Sequence, residues 1–166
     1  MGEFSETLCR ANPDLEKLYL VDPWLSYTGY HTFFSQQDMD GHYQMACDRL
    51  SAFPCCELVR KTSMEAVREI PDHSLDFVYI DGNHNFQSVT NDIVEWGRRV
   101  RFGGILCGDD YRRFRDQHDS HVVFVLEGYV KAYRVKPWFV FGRDSHNATW
   151  MWVKGCEHNL LDRKTQ

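Results

Sequence analysis

An α/β domain of three layers, with a mostly parallel sheet and a C-terminal antiparallel hairpin, is the fold class this sequence predicts. Three observations lead there. Short apolar runs alternate along the chain with segments of helical period. The runs at Leu18–Val21 and Leu75–Ile80 are nearly continuous rather than alternating, as in strands shielded on both faces. The last two runs, Trp138–Phe141 and Thr149–Val153, are separated by the turn-like Gly142-Arg143-Asp144-Ser145-His146-Asn147, a spacing that permits a hairpin.

Residues 2–10 place Phe4, Leu8 and Ala11 on one helical face, and Asn12-Pro13 ends that helix. The strand Leu18–Val21 runs into Asp22-Pro23-Trp24, an acidic end followed by a turn. Residues 25–40 are aromatic and polar without clear periodicity, including Tyr27, Tyr30, His31, Phe33 and Phe34. They read equally as a lid and as an irregular segment packed on the body. Tyr43, Ala46, Cys47 and Leu50 predict a helix over 40–53, stopped by Pro54. A brief strand over 56–60 follows, then a helix over 64–70 with Ser63 at its cap. Phe86, Val89, Ile93, Trp96 and Val100 recur at spacings of three and four, a long amphipathic helix that closes at Arg98, Arg99 and Gly103-Gly104. A strand over 105–107 and a helix over 122–130 precede the hairpin, and 155–166 reads as a frayed tail.

With 166 residues, 43% of them hydrophobic, the chain is expected to form a single domain spanning 1–166. A net charge of -5 gives no electrostatic argument for nucleic acid. Arg98, Arg99 and Arg101, continued by Arg112, Arg113 and Arg115, read either as solvated helix ends or as a local anion site. There is no apolar run of about 18 residues and no signal-peptide pattern, so a cytoplasmic protein without a membrane partner is expected. The six cysteines form no pair of Cys-x-x-Cys motifs, and the adjacent Cys55-Cys56 suits a single zinc poorly. Free, mostly buried thiols are expected.

The chemistry concentrates at two strand ends. Asp81 follows Phe77-Val78-Tyr79-Ile80 and leads into Gly82-Asn83-His84; Asp109-Asp110 follows Gly103-Gly104-Ile105-Leu106-Cys107-Gly108. In α/β sheets ligands bind at that edge. Three carboxylates converging there call for a hard cation or for acid/base chemistry, whereas helix caps and turn residues are the plain alternative.

Together with Gly2-Glu3-Phe4-Ser5, Leu18-Tyr19-Leu20-Val21-Asp22 and the hairpin, these stretches resemble the class I S-adenosylmethionine-dependent methyltransferases. The chain is most similar to the metal-dependent O-methyltransferases acting on sugar hydroxyls of macrolide and aminocoumarin antibiotics, the macrocin O-methyltransferase-like group. The resemblance covers residues 2 to 153, most strongly 75 to 111. It implies a Rossmann-like methyltransferase fold with S-adenosylmethionine bound by Gly2, Ser5, Asp22, Thr62, Ser63 and Asp81. In it Asp22 takes the ribose hydroxyls and Thr62 and Ser63 flank the adenine. It also implies Mg2+ or a similar divalent cation on Asp81, Asp109 and Asp110, and a small hydroxylated molecule as substrate. Where such relatives carry a carboxylate base two residues after the first metal ligand, this chain has Asn83, and His84 is the candidate base.

The resemblance further implies a first strand, with a glycine-rich turn, lying centrally between the strands of Asp22 and Asp81. Here Gly2 matches the last glycine of that turn and the domain reads as N-terminally truncated. Backbone groups on both neighbouring strands then need new partners, through direct pairing, an upstream segment or a homo-oligomer that covers the gap. Weak or absent S-adenosylmethionine binding by this chain is the corresponding expectation. The rival reading is a non-catalytic interaction or scaffold protein with a degenerate methyltransferase fold. A nicotinamide-dependent oxidoreductase also uses an acidic strand end but has no use for the paired carboxylates.

Overall fold

The computed structural model describes residues 1–26, 34–111, 120–142 and 148–155. Four sequence features lie wholly or partly outside them: the aromatics of 27–33, the arginines Arg112, Arg113 and Arg115, the turn 143–147, and the tail 156–166 with Cys156. The chain divides into two compact units, Met1–Ala66 and Val67–Gln166.

In the first unit Gly2 adopts the left-handed conformation, φ 79°, and its carbonyl accepts from Glu6 N at 2.9 Å to open helix α1 (Glu3–Ala11). Glycine takes that conformation without a Cβ penalty. Strand β1 (Leu18–Val21) pairs in parallel with β2 (Cys56–Val59), Leu18 opposite Cys56 and Val21 opposite Val59. Between them, α2 (Gln36–Leu50) starts four residues before the expected position 40. A capping box sets that start. Ser35 Oγ accepts from Asp38 N at 3.2 Å, and Asp38 Oδ2 accepts from Ser35 N at 2.8 Å. Apolar periodicity is blind to such a polar first turn.

The helix expected over 64–70 divides into α3 (Ser63–Ala66) and a 3-10 turn, Val67–Glu69. Its cap is Thr62, not Ser63. Glu65 Oε2 accepts from Thr62 N at 3.0 Å and from Thr62 Oγ1 at 2.6 Å, a Thr-x-x-Glu box that places the boundary one residue earlier.

The second unit contains β3 (Leu75–Ile80), α4 (Phe86–Arg99), β4 (Val100–Gly108), α5 (Val122–Ala132), β5 (Trp138–Phe141) and β6 (Thr149–Val153). They form a sheet of order β3-β4-β6-β5, with β3 and β4 parallel and β6 antiparallel to both β4 and β5. The terminal hairpin is as expected. Strand β4 begins at Val100, five residues before the expected 105, because Gly103 and Gly104 sit inside it rather than ending the helix. Leu75 faces Val100 and Phe77 faces Ile105, so two steps along β3 match five along β4. That bulge requires the glycines: Gly103 has φ 77°, and a Cβ on Gly104 would stand 2.8 Å from the Asp76 carbonyl oxygen.

Ile93, Val100, Leu106, Leu126 and Trp150 are the fully buried centre of this unit, with α4 packed against β3 and β4. Lys154, only 7% exposed, closes the far end of α4: its ammonium donates to the carbonyls of Gly97 at 2.9 Å and Val100 at 2.8 Å. A cation is favoured at a helix C-terminus, where the last carbonyls lack intrahelical partners.

Among the described residues β1 and β3 are each edge strands of their sheets, and the central strand implied by the resemblance is not among the described elements. The continuous apolar runs led us to expect burial on both faces. Instead Tyr19 and Phe77 are 38% and 39% exposed. No helix among the described residues is long and apolar enough to cross a membrane.

Candidate active site at the ends of two parallel strands

The register Ile80 opposite Gly108 brings the ends of β3 and β4 side by side, so Asp81 and Asp109 emerge from adjacent strands. Asp109 N donates to the Ile80 carbonyl at 3.0 Å, which continues the ladder by one residue. Asp110 then turns into the left-handed region, φ 56°, a conformation that Asp tolerates better than most residues. The turn brings its carboxylate to His84: Nε2 lies 3.0 Å from Asp110 Oδ2, with both side chains largely buried.

Asp81, His84 and Asp110 each offer a ligand atom, and these atoms lie within 4.8 Å of one another. Asp109 is not in this group. Its Oδ1 is buried without a hydrogen-bond partner among the described residues, an arrangement that costs free energy unless something compensates it. Two carboxylates and an orphaned carboxylate oxygen next in sequence fit a divalent cation, with the imidazole held beside them by Asp110.

The loop that carries His84 is built by local hydrogen bonds. Asn83 Oδ1 accepts from Asn85 N at 3.0 Å, and Asn85 Oδ1 caps α4 by accepting from Ser88 N at 2.8 Å. His121, just before α5, holds the same loop from outside: its N donates to the His84 carbonyl at 2.8 Å and its Nδ1 accepts from Phe86 N at 2.9 Å. Sequence reasoning passed over His121, which nothing in the local pattern distinguishes. It also passed over Asp92, a buried carboxylate beneath Gly82, where an added Cβ would lie 3.3 Å from Asp92 Oδ2. A charge among the apolar Val89, Ile93 and Trp96 was the available signal. Burial raises the Tyr79 phenol above its ordinary pKa, and the nearby Asp109 and Asp81 carboxylates add to that rise.

The other candidate residues belong to the first unit. Gly2 opens α1, and Ser5 lies on that helix, half-buried. Asp22 leaves the end of β1 with Oδ1 accepting from Trp24 N at 2.6 Å. Burial raises its carboxyl above the ordinary range, opposed by that hydrogen bond and by His42. Thr62 and Ser63 occupy the cap and first position of α3, the Thr62 hydroxyl being directed to Glu65.

Residues 1–111 match the family model described as a methyltransferase domain. The chain belongs to the methyltransferase-domain family. Solved structures of that fold are similar across most of the chain. The O-methyltransferase TomG from Streptomyces achromogenes, in complex with S-adenosylmethionine, is 15% identical with TM-score 0.62 over 93% of this chain and 69% of its own. The N-methyltransferase NodS from Bradyrhizobium japonicum WM9 is 13% identical with TM-score 0.61 over 93% of this chain and 80% of its own. The O-methyltransferase NovP is 13% identical with TM-score 0.59 over 91% of this chain and 65% of its own. No curated protein matches by sequence. The methyltransferase domain therefore has the α/β Rossmann-like class I fold. Its neighbours include both O- and N-methyltransferases, so the acceptor atom is a question for its own residues.

Proposed function

We propose that this chain serves a metal-dependent O-methyl transfer from S-adenosylmethionine to a hydroxyl of a small molecule. The observation that carries the reading is the convergence of Asp81, His84 and Asp110, with the orphaned Asp109 oxygen beside them. Asp81, Asp110 and Asp109 would hold the cation, as the resemblance implies. When bound, a divalent cation of the Mg2+ class polarises a hydroxyl oxygen, and the sulfonium of the cofactor presents an electrophilic methyl group.

The chain's own residues supply orientation and a base. With His84 Nε2–H donated to Asp110, the imidazole is held in one tautomer and Nδ1 is its basic nitrogen. Nδ1 takes the hydroxyl proton. In the first unit Asp22 would accept the ribose hydroxyls, and ionisation of its partly buried carboxyl is the protonation state that suits two donors. Gly2, Ser5, Thr62 and Ser63 would line the remainder of the cofactor, as the resemblance assigns them.

Methyl transfer from radiolabelled S-adenosylmethionine to a panel of small polyhydroxylated acceptors, with Mg2+ and with chelator, tests the reading. Transfer that needs Mg2+ and falls at least about a hundredfold in His84→Ala supports it. Equal transfer to amine acceptors in chelator rejects it.

A second reading, a non-catalytic interaction protein, is favoured by the edge positions of β1 and β3. Such edges accept an added strand, and a second copy of this chain is the partner proposed for them. A sedimentation profile that stays monomeric across a hundredfold range of concentration excludes that partner.

A further inference from the structure

Three thiols far apart or awkwardly adjacent in sequence meet in the first unit. Cys9, buried on α1, has its Sγ 3.8 Å from Cys55 Sγ and 3.3 Å from Cys56 Sγ. All three sulfurs lie within 4.8 Å of one another. As adjacent residues, Cys55-Cys56 suit a single zinc poorly. The fold removes that difficulty. Cys55 belongs to the turn closed by the bond from Cys56 N to the Phe53 carbonyl, and only Cys56 belongs to β2, so alternation does not separate the two side chains.

We propose that Cys9, Cys55 and Cys56 form a trithiolate site for one soft, thiophilic cation of the zinc class, separate from the acidic cluster of the second unit. Tetrahedral zinc with Zn–S bonds of about 2.3 Å has sulfur–sulfur edges of about 3.8 Å. The Cys9 to Cys55 separation equals that edge, and the closer Cys9 to Cys56 pair needs a movement of a few tenths of an ångström. Three sulfurs with no oxygen ligand in the group select zinc or cadmium over magnesium or calcium. A cleft of about 470 Å3 lined by Cys9, Cys55, Arg10, Asn12 and Phe53 gives access and room for a water as fourth ligand.

Without a cation, burial raises the Cys9 thiol and pushes Cys56 up to about 12, so these two hold their protons. Binding forms three metal–sulfur bonds as the S–H protons leave to solvent, and affinity rises with pH. The bound ion ties α1 to the start of β2, a cross-link within the first unit that involves no oxidation.

Titration of the full chain, reduced with a phosphine and stripped of metal, with Cd2+ reads the site through the ultraviolet cadmium–thiolate charge-transfer band. The band is expected to saturate at one equivalent, to be lost in Cys9→Ser and Cys56→Ser, and to persist in Cys47→Ser and Asp81→Asn. Absence of the band, or its survival in Cys9→Ser, overturns the proposal. X-ray absorption on the zinc-loaded parent protein stands independently of how the variants fold: three sulfur neighbours at about 2.3 Å are expected, and fewer than three reject the site.

Discussion

His84 Nε2 and Asp110 Oδ2 stand 3.0 Å apart, which ties the loop after β3 to the turn after β4 at the point where the carboxylates gather. The contact depends on the left-handed backbone of Asp110, since an extended residue there would continue β4 and carry its side chain elsewhere. Asp110→Asn preserves that backbone preference while removing the charge. Mn2+ affinity, measured by electron paramagnetic resonance, is expected to fall about tenfold or more, with the melting temperature of the metal-free protein little changed. Unaltered Mn2+ binding would remove Asp110 from the cation site.

Asp22 makes stability depend on pH in a definite direction. Burial raises its carboxyl, so the folded chain holds the proton more tightly than the unfolded chain. Its contribution is full below the unfolded value of about 3.9 and is lost as pH rises through the higher folded value. Asp22→Asn keeps an acceptor for Trp24 N and removes the titration. Urea unfolding is expected to show the variant gaining on the parent between about pH 4 and about pH 7; a constant difference across that range refutes it.

Lys154 is a buried cation whose loss should cost the second unit measurable stability. Its ammonium donates to the Gly97 and Val100 carbonyls and lies 5.4 Å from the centre of the Phe102 ring. Lys154→Met leaves those carbonyls buried without their donor, at a cost of about 2–4 kcal/mol in urea unfolding. A loss below about 0.5 kcal/mol would mean that the helix end finds other partners.

Cys107 should be chemically silent in the folded protein. Its thiol donates to the Val78 carbonyl at 3.3 Å across the β3–β4 pair, and burial pushes its pKa up to about 12. Alkylation by iodoacetamide near neutral pH, followed by mass spectrometry, is expected to run more than about a thousandfold slower than at an ordinary thiol and to recover in urea. Rapid labelling without urea would show that the strand pair opens.

Gly108 admits no side chain. A Cβ there would lie 2.4 Å from the Ile80 carbonyl oxygen and 2.6 Å from Trp150 Cζ2. Gly108→Ala is expected to lose about 1–3 kcal/mol by thermal unfolding, and to weaken Mn2+ binding by displacing the neighbouring carboxylates. A parent-like melting curve would place Trp150 elsewhere.

The sequence by itself determined the alternation of strands and helices, the hairpin and the two acidic strand ends, because each is written in short-range periodicity and in residues next to one another. Leu75–Ile80, Trp138–Phe141 and Thr149–Val153 have the bounds read from their apolar runs. Boundaries set by side-chain hydrogen bonds were less legible: Ser35 and Thr62 mark helix starts that apolar spacing does not reveal. Tertiary structure alone decided that Gly103 and Gly104 form a bulge within β4, that His84 meets Asp110, and that Cys9 meets Cys55 and Cys56. Those outcomes depend on a register between strands and on where a turn aims one side chain. The acidic strand ends were visible from the start; which of their atoms converge was settled by one left-handed residue and one parallel ladder.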